Sequence, residues 1–139
     1  RPNLPIDALV IGALRSDYQK TRIERMCHRL GIKSFCPLWH HNSIEHMRDL
    51  VKHNHTVMMT SVTSDGLGEE WLGRILNQKN LEELEHLAKK FRFHIDGEGG
   101  EFETAVLDAP WMKQRIRTQQ TAHWTGRRGW LDIWAAELV

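Results

Sequence analysis

Apolar and polar positions along the first two thirds of the chain fall into blocks that switch between a strand-like and a helix-like period. Asp7-Ala8-Leu9-Val10-Ile11 is a short apolar run closing on Gly12, the pattern of a buried strand in a parallel sheet. Ser16 then caps a helix predicted over 17–30, with Tyr18, Ile23, Met26, Cys27 and Leu30 on its apolar stripe and Gly31 as its stop. Ile32 to Leu38 reads as a second strand. Asn42 opens another helix, with Glu45 three positions on as in a capping box and Ile44, Met47, Leu50 and Val51 facing inward. Thr56 to Val62 is a third strand, Thr63-Ser64-Asp65-Gly66 a turn, and Glu69 to Leu76 a short helix. A longer helix is expected from an Asn80 cap to Phe91, with Glu83 completing the box and Leu81, Leu84, Leu87 and Ala88 inside. Strand and helix alternating in this way argue an α/β layer with parallel strands.

From Phe91 onward the period shortens. Arg92 to Asp96, Glu101 to Leu107, Arg115 to Ala122 and Trp130 to Leu138 read as strands, with Thr125 to Gly129 as a hairpin connection between the last two. The chain of 139 residues, 40% of them hydrophobic, is long enough for a packed core, and no apolar run approaches the ~18 residues of a membrane span. Nineteen basic against eighteen acidic side chains leave no polybasic footprint, so charge does not suggest a nucleic-acid partner. Cys27 and Cys36 have no metal-ligand spacing and read as free thiols of a reducing compartment. The nine histidines show no ligand spacing and read as surface residues. Trp124, Trp130 and Trp134 are expected to pack one face of the C-terminal sheet, with Arg115, Arg117, Arg127 and Arg128 on the other face or at the turn.

Two stretches could carry chemistry. In "GALRSDYQKTR", residues 12–22, Gly12 permits close backbone approach, the N–H groups after Ser16 face the crevice beyond a strand end, and Arg15, Lys20 and Arg22 add positive charge. That combination suits a phosphate or carboxylate, and it also suits an ordinary capped helix. In "GEGGEFET", residues 97–104, a four-residue loop would pair Asp96 with Glu101 and His94 with Glu103 in a hairpin. Alternation would then put these four side chains on one face and Phe93, Ile95 and Phe102 on the other. Like charges so placed repel and call for a cation, whether Mg²⁺, an arginine or a cationic substrate; the plain alternative is a solvated turn.

Taken together, four ordered stretches resemble one family. "GALRSDYQKTRIERMCHRLGI" is similar to the G-A-I-x-S-x-Y-Q-x-x-R-V-E-x-x-C-x-x-L-G segment of the diphthine–ammonia ligases, which are N-type PP-loop ATP pyrophosphatases. "PLW" at 37–39 looks like the next strand end of that family, and Gly66-Leu67 with "WLGR" at 71–74 resembles its G-L-x-x-x-x-L-G-R stretch. "GEGGEFETAVLDAP" matches its G-E-G-G-E-[YF]-E-T-x-x-L-D-x-P motif, with Phe102 in the aromatic slot. The S-G-G-K-D-S type loop that grips ATP in the family lies upstream of these motifs and is absent from the 139 residues. This fits either a piece of a longer enzyme or a degenerate homologue that lost ATP activation, and the opening Arg1-Pro2-Asn3 favours the piece.

The resemblance implies a Rossmann-like parallel sheet portion of the HUP/PP-loop type over residues 1–62, followed by a smaller α+β substrate-side part over 63–139. It implies ATP, with Mg²⁺, as cofactor, and amidation of diphthine on translation elongation factor 2. In that reaction the carboxylate is adenylated, ammonia displaces AMP, and pyrophosphate is released. Gly12, Ser16, Tyr18, Gln19 and Arg22 would bind the nucleotide, Arg22 offsetting phosphate charge. Glu98, Glu101 and Glu103 would be catalytic, attracting trimethylammonium and ammonium and deprotonating the latter. Gly97, Gly99, Gly100 and Thr104 would bind substrate, and no resident metal is expected. The implied setting is cytoplasmic, with elongation factor 2 and ammonium as partners, no membrane or nucleic acid, and an open oligomeric state, a homo-oligomer included. The alternative is a non-catalytic module that binds nucleotide or docks on a translation factor.

Overall fold

The structure, a computed structural model, describes residues 5–139; the opening Arg1-Pro2-Asn3 lies outside the described residues. The element order is β1 (Ala8–Val10), α1 (Asp17–Leu30), β2 (Lys33–Phe35), α2 (Ser43–Lys52), β3 (Thr56–Val62), α3 (Gln78–Phe91), β4 (Phe102–Asp108), β5 (Ile116–Trp124) and β6 (Gly129–Leu138), with a 3₁₀ turn at Glu69–Trp71 before α3. The chain divides into two compact units, residues 1–41 and 42–139. A small parallel sheet in the first and an antiparallel sheet in the second make the mixed α/β class that the alternating pattern predicts.

In the first unit β1 and β2 run parallel, Ala8 opposite Lys33 and Val10 opposite Phe35. The crossover between them is α1. Ser16 is extended and its Oγ accepts from the Gln19 N–H at 3.3 Å, a cap worth about 1 kcal/mol. At the other end Gly31 takes a left-handed conformation (φ +66°), and the Ile32 N–H closes on the Cys27 carbonyl at 3.0 Å. Cys27 is buried, and the Cys36 thiol donates to the Ala13 carbonyl at 3.2 Å, so both are free thiols.

The second unit is built on a four-stranded sheet in the order β4-β3-β6-β5. Its core joins Met47 of α2, Leu81, Leu84 and Ala88 of α3, Val57, Met59 and Val62 of β3, and Phe102 of β4 around Trp71. Burying each of the two fully enclosed leucines of α3 contributes about 1.5–3 kcal/mol. The Asn42 Oδ1 caps α2 by accepting from the Ile44 and Glu45 N–H groups at 3.0 and 3.1 Å. For α3 the cap is Asn77, whose side chain accepts from the Asn80 N–H at 2.9 Å, so the cap lies three residues before the expected Asn80. Asn80 is instead drawn to Arg74, whose guanidinium reaches its Oδ1 at 2.7 Å.

Further expectations are corrected. Thr56–Val62 pairs antiparallel with β4 and β6 and does not join the parallel strands; a division after residue 62 would separate β3 from every strand it pairs with. An apolar run of this kind gives no direction, since either neighbour buries it equally well. Glu69 to Leu76 forms only a 3₁₀ turn, because residues 73–76 extend along β3: Met59 N–H donates to Arg74 O at 2.9 Å, and Leu76 N–H to Val57 O at 2.8 Å. This segment takes the β3 edge that β6 would otherwise occupy, and β6 touches β3 only at Ser61–Trp130 and Val62–Gly129. Beyond that point β5 and β6 continue as a two-stranded ribbon. Trp130 and Trp134 are therefore exposed, and among the three C-terminal tryptophans only Trp124 packs on the core.

Candidate functional site

Another correction concerns the glutamate-rich stretch itself. No strand precedes β4 between residues 92 and 101, so Asp96 does not face Glu101, and Glu103 pairs across from Ser61 rather than His94. Arg92 ends α3 in a left-handed conformation, and Gly97 and Gly100 (φ +72° and +83°) turn the chain twice more. The loop curls around the Glu101 carboxylate. Its Oε1 accepts the His94 backbone N–H at 2.9 Å, its Oε2 accepts the Gly99 N–H at 2.8 Å, and the His94 ring nitrogen Nδ1 lies 3.5 Å away. A Cβ at Gly99 would come within 2.4 Å of Glu101 Oε1, so the carboxylate rests directly on the glycine backbone. Two backbone N–H groups, with the His94 ring beside them, face this charge.

The apolar side of the same stretch behaves as alternation predicts. Ile95 and Phe102 are buried in the core and Phe93 packs against it. Glu98 is half-buried, its N–H donating to Asp96 Oδ1 at 3.3 Å, while Glu103 and Thr104 are exposed on β4. The three glutamates thus occupy three different environments.

The loop is stitched to the turn after β3. The Thr63 hydroxyl donates to the Gly100 carbonyl at 2.6 Å, and the Thr63 and Ser64 N–H groups both reach the Glu101 carbonyl, at 2.9 and 3.2 Å. The end of β3, the start of β4 and the β5–β6 turn all lie at one end of the sheet, since Val62 pairs with Phe102 and with Gly129. There the turn of residues 64–68 and the β5–β6 turn enclose a cleft of about 410 Å³, lined among others by Ser64, Asp65, Trp124 and Arg127. Glu98, Glu101 and Glu103 are not among its lining residues. Sequence reading treats both turns only as connections. The available signal was the mix of an acid, an arginine and a tryptophan in segments that antiparallel pairing brings together.

"WLGR" has a bracing role. Arg74 lies 4.1 Å from the centre of the Trp71 ring and forks onto Glu83 at 2.6 and 3.2 Å. The hydrogen bond from Arg74 holds the Glu83 carboxyl below the usual glutamate range, burial pulling the other way. Trp71 is fully buried, with no acceptor for its Nε1–H among the described residues.

In the first unit, Gly12, Tyr18, Gln19 and Arg22 line a second cleft of about 370 Å³ with Ile11 and Ile23. The Arg22 guanidinium donates to the Tyr18 hydroxyl at 3.1 Å and stands 5.3 Å from the ring centre. Ser16, expected to bind nucleotide, spends its hydroxyl on the α1 cap. Arg15 bonds the His41 carbonyl at 2.7 Å, and Lys20 pairs with Glu24 at 2.6 Å. Among the described residues, no group of three or more His, Cys, Asp or Glu converges as a metal site, and no helix is long and apolar enough to cross a membrane.

Comparison with known proteins accounts for both halves. The family described as diphthamide synthase C-terminal domain matches residues 42–139, and diphthamide synthase N-terminal domain matches residues 2–34. The chain is similar to the diphthine–ammonia ligase of Schizosaccharomyces pombe, 40% identical over 111 residues, which is 80% of this chain and 18% of that protein. It is also similar to those of Homo sapiens, 37% identical over 112 residues (80% of this chain, 42% of that protein), and Danio rerio, 32% over 117 (84% and 46%). The chain therefore spans less than half the length of these relatives. With its C-terminal family covering the whole of the larger unit, the chain belongs to the diphthamide synthase family.

Proposed function

We propose that the full-length protein amidates diphthine on translation elongation factor 2 in an ATP-dependent reaction, giving diphthamide. The carboxylate of diphthine is activated at the expense of ATP, with pyrophosphate leaving, and ammonia then displaces AMP. The observation that carries this reading is the match of residues 42–139 to the diphthamide synthase C-terminal domain, joined to relatives called diphthine–ammonia ligases.

The cleft of the first unit and the glycine-rich loop of the second suit the two halves of such a reaction. On the nucleotide side, Gly12 offers bare backbone and Arg22 a guanidinium at a cleft beside the first turn of α1, whose N–H groups favour an anion. Mg²⁺ accompanies ATP through its phosphates, and such an ion takes only one or two protein carboxylates besides them. On the acceptor side, Glu101 holds the Gly97–Gly100 loop in shape and acts as a positioning residue. Glu98 and the exposed Glu103 are the carboxylates that could draw ammonium and take its proton before attack. Gly97, Gly99, Gly100 and Thr104 then serve the acceptor side by shaping that loop and its strand. Work in the cytoplasm follows from the substrate proposed.

The test is AMP release by the full-length protein. AMP that appears only when diphthine-bearing elongation factor 2 and ammonium are both present is the expected result. Release independent of either, or none, would end the ligase reading in favour of a docking module. This chain by itself, without the ATP-gripping loop, is expected to release none.

A further inference from the structure

The cleft at the loop end of the antiparallel sheet sets an acid and a cation that the fold does not use beside an aromatic wall. Asp65 and Arg127 line it together, yet they form no ion pair, and neither side chain has a hydrogen-bonding or ionic partner among the described residues. Both are exposed. Trp124 is the fixed element. It is half-buried, packs against the core, and pairs with Gly129 across the end of the ribbon. A Cβ at Gly129 would stand 2.7 Å from Trp124 Cε3, so the indole lies against bare backbone. The Asp65 turn is fixed as well: a Cβ on Gly66 would meet the Phe91 ring at 2.2 Å, and Gly66 has φ +90°.

We propose that this cleft reads the two charged groups of the acceptor, a quaternary ammonium and a carboxylate. The inference rests on the amidation reading, which gives diphthine both groups. A trimethylammonium has no N–H to donate, so fixed acceptors gain nothing from it. It is recognised by an aromatic face and a nearby negative charge, and tryptophan is the best of the aromatic faces. Trp124 and Asp65 supply that pair. A carboxylate is held by the planar fork of an arginine, and Arg127 supplies it from the tip of the β5–β6 turn. The Glu101 carboxylate, closed onto two backbone N–H groups, is left with the loop.

The experiment uses the full-length protein with diphthine-bearing elongation factor 2, ATP and ammonium. Asp65→Asn and Arg127→Ala, both at exposed positions, are each expected to raise the KM for the acceptor about tenfold, a loss of one such contact. The KM values for ATP and ammonium should stay within about twofold. Trp124→Leu should act in the same direction, but it touches the core, so the two exposed variants carry the test. Arg128→Ala, one residue away and outside the cleft lining, is the control and should leave the acceptor KM unchanged. Glycine betaine, a small trimethylammonium carboxylate, should compete with the acceptor in the unaltered protein and lose that effect in Asp65→Asn. An unchanged acceptor KM in both exposed variants would overturn the inference while amidation stands. A raised KM for ATP alone would overturn it by assigning the cleft to nucleotide. If the unaltered protein shows no acceptor-dependent AMP release, the amidation reading falls and takes this inference with it.

Discussion

Residues 42–139 carry a closed apolar core, whereas residues 1–41 carry two three-residue strands and one helix. Five of the six largest fully enclosed side chains, Trp71, Met59, Leu81, Leu84 and Val62, belong to the larger unit; Cys27 is the sixth. In the smaller one, Val10, Leu30 and Phe35 are exposed despite their apolar character. The units also differ in charge. Residues 1–41 hold seven basic and three acidic side chains, residues 42–139 twelve and fifteen, so a net of +4 stands against −3. The lesson is a division of labour. The charge balance and the buried core thus divide between the units, the positive one having little apolar core and the negative one a closed one.

The strongest way to break this comparison is to separate the units. Residues 42–139 expressed alone should unfold cooperatively, and residues 1–41 alone should show no such transition by circular dichroism. A cooperative transition in the shorter piece would remove the contrast. Next in size is a core truncation. Leu84→Ala should destabilise the protein by about 2–5 kcal/mol, whereas Leu30→Ala, at an exposed position, should stay within about 0.5 kcal/mol in denaturant titrations.

Within the larger unit, Glu101→Gln keeps one acceptor oxygen for two N–H groups and should cost about 1–3 kcal/mol, while Glu103→Gln should be nearly neutral. Equal effects would deny Glu101 its bracing role. Glu83 sharpens the electrostatic side. Its carboxyl is depressed by Arg74, so its contribution is present above the ordinary glutamate range and is lost as pH falls through the lowered folded value. The difference in melting temperature between the unaltered protein and Glu83→Gln should therefore shrink in acid. It should be small throughout, since the Glu83 side chain is 44% exposed. Least of all, Trp71→Phe should change stability little. The cavity it leaves is offset by removing a buried N–H with no acceptor among the described residues.

What the chain betrays in advance follows from how local the cause is. Caps at Ser16 and Asn42, the Gly31 stop and the β5–β6 turn depend on a few neighbouring residues, and each forms where the pattern places it. The pairing of β3 depends on residues 40 to 70 positions away, and period 2 cannot say which neighbour will come. The motif stretches betray the family, but not how Glu101 is used. A carboxylate that folds back on its own loop and one that faces a ligand are spelled identically. The cleft of Asp65, Trp124 and Arg127 was illegible for a simpler reason: its residues come from two turns brought together by the sheet, one after β3 and one between β5 and β6.

The central claim is that this family member, at full length, forms an amide on the acceptor from ammonia. Incubation with diphthine-bearing elongation factor 2, ATP and nitrogen-15 ammonium, followed by mass spectrometry of the modified peptide, tests it most directly. The account predicts nitrogen-15 in the side-chain amide of that one residue, dependent on ATP. A peptide that stays unlabelled with ATP and ammonium both in excess would contradict it.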